Sequence, residues 1–233
     1  MKPISSLDEL NRQIVECRRC QRLIDYCAEV ARVKRKAYAS CAYWGKPVPS
    51  FGDPLARVLA LGLAPGAHGS NRTGRPFTGD GSGEFLFPTL FAAGFSSAPE
   101  ATSREDGLLL YDLWISSVGR CAPPGNKPTT EELAHCAPWL DEELRLLGRL
   151  RVVVCLGKIA FDNLLLREQR QGRLQRRAGY VFGHAAEYTL PGGLQVIASY
   201  HPSLQNTNTG KLTRPMFLQI FRRARVLAGL DPK

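Results

Sequence analysis

The chain has 233 residues, 44% hydrophobic and 22% charged, which is enough for one substantial core and unlike a disordered or fibrous protein. No apolar run approaches the length that crosses a bilayer, and Met1 to Gln13 lacks the apolar stretch of an export signal, so 1–233 reads as a single cytoplasmic domain. Lys and Arg number 31 against 21 Asp and Glu, a formal charge of +10 that attracts a polyanion; nucleic acid is the natural partner, and a solvated basic surface without a partner is the alternative.

In chain order, Leu7 to Arg22 patterns as an amphipathic helix with Asp8 and Glu9 in its first turn, followed by the basic run Arg32 to Lys36. Prolines and glycines between Lys46 and Pro54 forbid regular structure, after which Arg57 to Leu63 reads as a buried strand and Gly83 to Ala93 as a helix. Asp112 to Val118 and Arg151 to Leu156 are short apolar strands, succeeded by helices over Thr130 to Leu147 and Ile159 to Arg170. Gln195 to Tyr200 is a fourth strand, and Pro215 to Leu227 a closing helix; Arg170 to Gly183 is a basic connection with little pattern. Strands alternating with helices predict an α/β fold of three layers, a parallel sheet covered on both faces, with the ligand crevice at the carboxyl ends of the strands. The loops richest in chemistry fall there.

Seven cysteines, an odd number spread unevenly, fit reduced thiols and a metal site better than a disulfide framework. Cys17 and Cys20 have the spacing that lets two sulfurs reach one metal ion or cluster, and Cys121 and Cys136 lie in proline-bounded segments that supply two more thiolates. Iron-sulfur, zinc and four buried free thiols are the readings this pattern leaves open. Cys27, Cys41 and Cys155 read as small hydrophobes.

The turn Gly62-Leu-Ala-Pro-Gly-Ala-His-Gly69 follows the first long strand. It lacks the Lys-Ser/Thr of a P-loop and the spacing of a dinucleotide fingerprint, yet its glycines let backbone N–H groups approach a phosphate or a base edge. With its continuation Gly-Arg-Pro-Phe-Thr-Gly-Asp at 74 to 80, Arg-Cys-Ala-Pro-Pro at 120 to 124 and Ser-Tyr-His-Pro-Ser-Leu-Gln-Asn at 199 to 206, the chain resembles the type 5 uracil-DNA glycosylases, the broad-specificity iron-sulfur branch of the uracil-DNA glycosylase superfamily. With the four cysteines in register, the match spans nearly the whole sequence.

The resemblance implies a four-stranded parallel sheet with flanking helices, a monomer, and a 4Fe-4S cluster on Cys17, Cys20, Cys121 and Cys136, the first two from an N-terminal helical segment. It also implies monofunctional base excision repair, in which a deaminated base, uracil and also hypoxanthine, is flipped out of DNA and its N-glycosidic bond hydrolysed to leave an abasic site. By that resemblance His201 contacts the base or its departing charge and Phe77 stacks on it, where a core phenylalanine is the bland reading. Gly62, Ala64 and Gly66 shape the base pocket, and His68 positions base or phosphate. Ser203 and Asn206 contact the nucleotide or hold the loop, and Leu204 is the wedge that fills the gap left by flipping. Asp80 activates water or stabilises the cationic sugar, or else only caps the following helix. Leu63 and Ser117 stand where other branches carry polar residues, which implies that water is positioned elsewhere and that more than uracil is admitted. Arg72, Arg75 and Lys211 are candidate phosphate contacts. A non-catalytic nucleic-acid binder would need the cysteines and charge but no convergence of Asp80, Phe77 and His201; an unrelated hydrolase would have the pocket but little affinity for DNA.

Overall fold

Short aliphatic runs, buried on both faces, make the sheet of this protein. In the computed structural model, which describes residues 4–231, six strands join it: β1 (Phe51–Gly52), β2 (Val58–Gly62), β3 (Leu113–Ser117), β4 (Val152–Leu156), β5 (Glu187–Thr189) and β6 (Gln195–Ser199), in the order β1-β3-β2-β4-β6-β5. The four expected strands, β3, β2, β4 and β6, run parallel. β1 and β5 are short antiparallel additions at the two edges, so the sheet has six strands where the sequence predicts four. Neither carries its own signal: β1 is two residues inside the Pro/Gly loop, and β5 is three residues held by pairing with β6.

Eight α-helices are found among the described residues: α1 (Leu7–Val15), α2 (Gln21–Val33), α3 (Ser70–Thr73), α4 (Gly81–Ala92), α5 (Thr130–Leu146), α6 (Lys158–Arg170), α7 (Leu204–Asn208) and α8 (Arg214–Leu227). Side chains alternate across the sheet. Leu59 and Leu61 of β2 pack with Leu10 of α1, Trp139 of α5 and Phe161 of α6, whereas Val58 and Ala60 face Phe87 of α4 and Phe217 and Phe221 of α8. These are the three layers that the βα alternation predicts.

The single helix expected over Leu7 to Arg22 is instead two. The apolar stripe of α1, Leu7, Leu10 and Ile14, belongs to the main core, while Leu23 and Cys27 of α2 form a separate cluster with Cys121 and Ala122. One straight helix cannot face both, and the chain turns between them through Cys17 to Cys20. Ser6 caps α1, its hydroxyl accepting from the Glu9 N–H, and a reciprocal Thr129–Glu132 capping box starts α5. Glu132 also accepts two hydrogen bonds of 2.7 Å from the Arg22 guanidinium, tying α2 to α5.

A buried ion pair joins three segments beneath the sheet's carboxyl edge. Glu143 of α5, fully buried, accepts from Arg120, from Ser50, from Ser116 of β3 at 2.6 Å and from the Trp114 indole at 3.2 Å; Arg120 also donates to Ser50 at 2.5 Å. The Arg120 carbonyl accepts from the Val48 N–H at 2.7 Å. Removing one partner of such a pair strands the other charge in a low dielectric. Glu143→Gln is therefore expected to cost about 3–5 kcal/mol in urea unfolding, and the paired Arg120→Met, Glu143→Leu replacement to cost less than the single change.

Candidate active site

β2 lies at the middle of the parallel strands with β3 on one side and β4 on the other, so the chain leaves it in opposite directions and opens a crevice at its carboxyl end. A cleft of about 530 Å³ occupies that point, walled by the loops after β2, β3 and β6 and by the start of α4. It gathers Gly62, Ala64, Gly66, Phe77, Asp80, His201, Ser203 and Leu204, eight of the ten catalytic and base-contacting residues singled out in the sequence, together with Leu63 and Ser117.

Asp80 sits at the N-terminus of α4, where its Oδ1 accepts 3.1 Å hydrogen bonds from the N–H groups of Ser82 and Gly83. Its Oδ2 lies over the backbone of the preceding turn: a Cβ on Gly69 would come within 2.0 Å of that oxygen, and one on Gly66 within 3.0 Å. Only glycine lets the turn close over the carboxylate. Burial, the largest cause, raises the Asp80 pKa above the ordinary carboxylate range, against the two backbone hydrogen bonds that lower it. Oδ1 thus makes the helix cap, and Oδ2 is left over the turn that lines the cleft.

Phe77 has φ of 51°, a left-handed conformation uncommon for an aromatic residue, held by its N–H donating to Ser70 Oγ at 3.1 Å. Gly62 is where its ring rests, since a Cβ there would meet Phe77 Cζ at 2.9 Å. The Phe77 ring is 5.9 Å from that of His201 and tilted 31° to it. His201 leaves β6 against Gly157, and burial pushes its pKa down to about 4, so the imidazole is neutral at physiological pH. Leu204 opens α7 and is 57% exposed at the rim, its side chain against Gly81 at the start of α4.

Two expected residues do not reach the cleft. His68 Nδ1 is 3.0 Å from the Tyr43 hydroxyl, outside the cleft wall, and Asn206 spends its amide on the His201 carbonyl at 2.9 Å, holding the loop rather than facing the cavity. Arg75 is buried in a bidentate ion pair with Asp106 and is a structural brace, not a surface phosphate contact. Arg72 likewise donates inward to the carbonyls of His68 and Gly79 and lies over the Tyr38 ring. Lys211 is exposed beside the Tyr200 ring. Sequence reading missed Asn126, which brings an amide to the cleft from the loop after β3, at φ of 57°. The run Pro123-Pro-Gly-Asn-Lys-Pro128 signals a turn that tolerates Asn in that conformation, but not where the turn points.

The four cysteines lie in the break between α1 and α2 (Cys17 and Cys20), after β3 (Cys121) and in α5 (Cys136). Burial, then the neighbouring Cys136, drives the Cys20 pKa up to about 11; Cys121 is raised by its hydrogen bond with Cys27 and by burial; Cys136 is raised by burial, while the Arg120 N–H donates to its sulfur. Cys27 is buried in one small apolar cluster with Cys121, and its thiol donates to the Ala122 carbonyl at 3.6 Å. His135 Nδ1 lies 3.5 Å from Cys20 Sγ. Among the described residues no three His, Cys, Asp or Glu side chains are placed to hold a metal ion.

Because Oδ1 caps α4, Asp80→Ala is expected to lower stability by about 1 kcal/mol while Asp80→Asn, which keeps an acceptor there, changes it little; thermal unfolding of both variants checks this.

The chain matches the uracil DNA glycosylase superfamily over residues 49–225. It is 53% identical over 217 residues to the type-5 uracil-DNA glycosylase of Thermus thermophilus, covering 93% of this chain and 96% of that one. Its identity is 45% to the type-5 enzyme of Mycobacterium leprae, over 97% of each chain, and 30% to the type-4 uracil-DNA glycosylase of Archaeoglobus fulgidus, over 86% of this chain and 83% of the other. The cleft at the carboxyl ends of the strands and these long matches agree: the chain belongs to the uracil DNA glycosylase superfamily and, within it, to the type-5 uracil-DNA glycosylases.

Proposed function

We propose that this protein excises uracil, and also hypoxanthine, from DNA by hydrolysing the N-glycosidic bond of a nucleotide flipped into the cleft. The observation that carries the reading is the meeting in one cavity of an aromatic face, a carboxylate and a neutral imidazole, from Phe77, Asp80 and His201. Breaking an N-glycosidic bond builds positive charge on the sugar and negative charge on the departing base. The Asp80 carboxylate stabilises the first or orients water against it; the His201 N–H donates to the second; Phe77 stacks on the ring. Leu204 at the rim is the apolar wedge, offsetting an unstacking cost of a few kcal/mol.

Breadth toward hypoxanthine follows from what the wall lacks. Leu63 is apolar, and the Ser117 hydroxyl donates to the Gly119 carbonyl at 2.9 Å, so neither presents a fixed pattern that uracil alone satisfies. No lysine is among the described residues lining the cleft, so no amine is placed there for a Schiff base with the sugar, which supports hydrolysis by water and an abasic product.

The same reading assigns a 4Fe-4S cluster to Cys17, Cys20, Cys121 and Cys136. Two buried N–H groups without a protein acceptor, Arg120 Nε and Trp139 Nε1, support a sulfur-rich group at this place. Cys20, Cys121 and Cys136 each have a pKa raised in part by another of the four cysteines, which supports one shared sulfur-ligated centre. When bound, the group supplies four cross-links between the N-terminal helices, the loop after β3 and α5. Purified protein is expected to be brown with iron and acid-labile sulfide, and Cys121→Ser to lose the colour; a colourless protein carrying zinc contradicts the assignment.

End-labelled duplexes with one uracil, hypoxanthine or normal base, treated with alkali after incubation, test the activity. Cleavage is expected at both lesions and at no normal base. It is expected to fall about 10²-fold or more in Asp80→Asn, which keeps the helix cap, and in His201→Ala. Loss in His201→Ala alone reduces Asp80 to a cap, and no cleavage at any lesion leaves a binding protein.

A further inference from the structure

Three buried side-chain polar atoms among the described residues have no hydrogen-bond partner: Asn71 Oδ1, Arg120 Nε and Trp139 Nε1. Two of the three are donors, and both stand beside the cysteines. Trp139 is 4% exposed and one turn after Cys136 on α5, so the two side chains share a face. Arg19, between Cys17 and Cys20, lays its guanidinium over the same indole at 4.4 Å, which brings the Trp139 ring against the segment that carries those two cysteines. Arg120 is 1% exposed and precedes Cys121; its backbone N–H donates to Cys136 Sγ, and its side-chain charge lowers the Cys136 pKa against the effect of burial.

An indole N–H and a guanidinium N–H donate and never accept. Leaving either unmet in the interior is costly, so each needs an acceptor that the protein atoms do not provide. Arg120 has already committed Nη1 to Ser50 and Nη2 to Glu143, which fixes the plane of the guanidinium and with it the direction of Nε. We infer that Arg120 Nε and Trp139 Nε1 donate to sulfur atoms of the metal centre held by Cys17, Cys20, Cys121 and Cys136, and are positioning residues that set its electron density. The inference rests on the iron-sulfur reading. Donors to cluster sulfur draw electron density from it and make it harder to oxidise. Arg120 then couples the centre to the base cleft, because its carbonyl holds Val48 and its guanidinium holds Ser50.

The test uses the holoprotein and two variants, Trp139→Phe, which keeps an aromatic ring, and Arg120→Lys, which keeps a charge opposite Glu143 but has no Nε. Resonance Raman spectra and the rate at which ferricyanide bleaches the visible band are recorded at matched iron and sulfide content. The expected result is Fe–S stretching bands moved to higher frequency and bleaching several-fold faster than in the parent. Bands and rates that superimpose on the parent in Trp139→Phe overturn the inference, even where Arg120→Lys fails to fold. A parent protein with no Fe–S bands at all overturns the cluster reading itself, a different result.

Discussion

The buried pairing of Arg120 with Glu143 is the constraint on which the rest depends. Two charges taken out of water are tolerable only when each is surrounded by opposite charge and hydrogen bonds, and that requirement brings Ser50, Trp114 and Ser116 to one carboxylate. The segment entering β1, strand β3 with the loop after it, and the later half of α5 are thereby tied to one another. Val48 and Ser117 of the cleft wall lie two residues or fewer from members of this group, and Cys121 of the candidate metal centre adjoins it on the other side. Arg120 is thereby tied both to the cleft wall, through Val48, and to the neighbouring Cys121.

Within the cleft, glycine serves as the space that chemistry occupies. Gly66 and Gly69 leave room for the Asp80 carboxylate, and Gly62 leaves room for the Phe77 ring. A side chain at any of the three would collide with the group it frames. Burial raises the Asp80 pKa and lowers that of His201 to about 4, so the imidazole is an uncharged donor at neutral pH. In the reaction proposed above, the carboxylate faces the cationic sugar and the imidazole N–H the anionic base.

Much of this was legible in the sequence, for identifiable reasons. The four parallel strands announced themselves because strands buried on both faces must be apolar along their whole length, as Val152 to Leu156 is. Gly62, Phe77, Asp80 and His201, which line one cleft, are legible because each belongs to a contiguous motif. The edge strands β1 and β5 were not, since a two- or three-residue strand exists only through its neighbour. The break between α1 and α2 was hidden because Leu7 to Arg22 keeps a helical period through the turn, and only the destination of each apolar stripe separates them. His68, Asn206 and Arg75 stand in the right segments, but side-chain direction depends on partners far off in sequence, Tyr43, the His201 carbonyl and Asp106. Asn126 and the Arg120–Glu143 pair were missed for the same reason: nothing local tells a turn which way to face, or a glutamate that an arginine 23 positions away will be buried with it.

The most direct test is the pH profile of single-turnover uracil excision by the parent protein and by Asp80→Asn. A carboxylate whose pKa is raised by burial loses its charge at higher pH than an ordinary one as the solution is acidified, whereas His201 takes up its proton only near pH 4. The account predicts that the parent's rate falls on its acid side through an apparent pKa above the usual carboxylate range, and that Asp80→Asn has a low rate with no such limb. An Asp80→Asn protein that keeps the parent's rate and its acid limb would contradict it, leaving Asp80 as a helix cap alone.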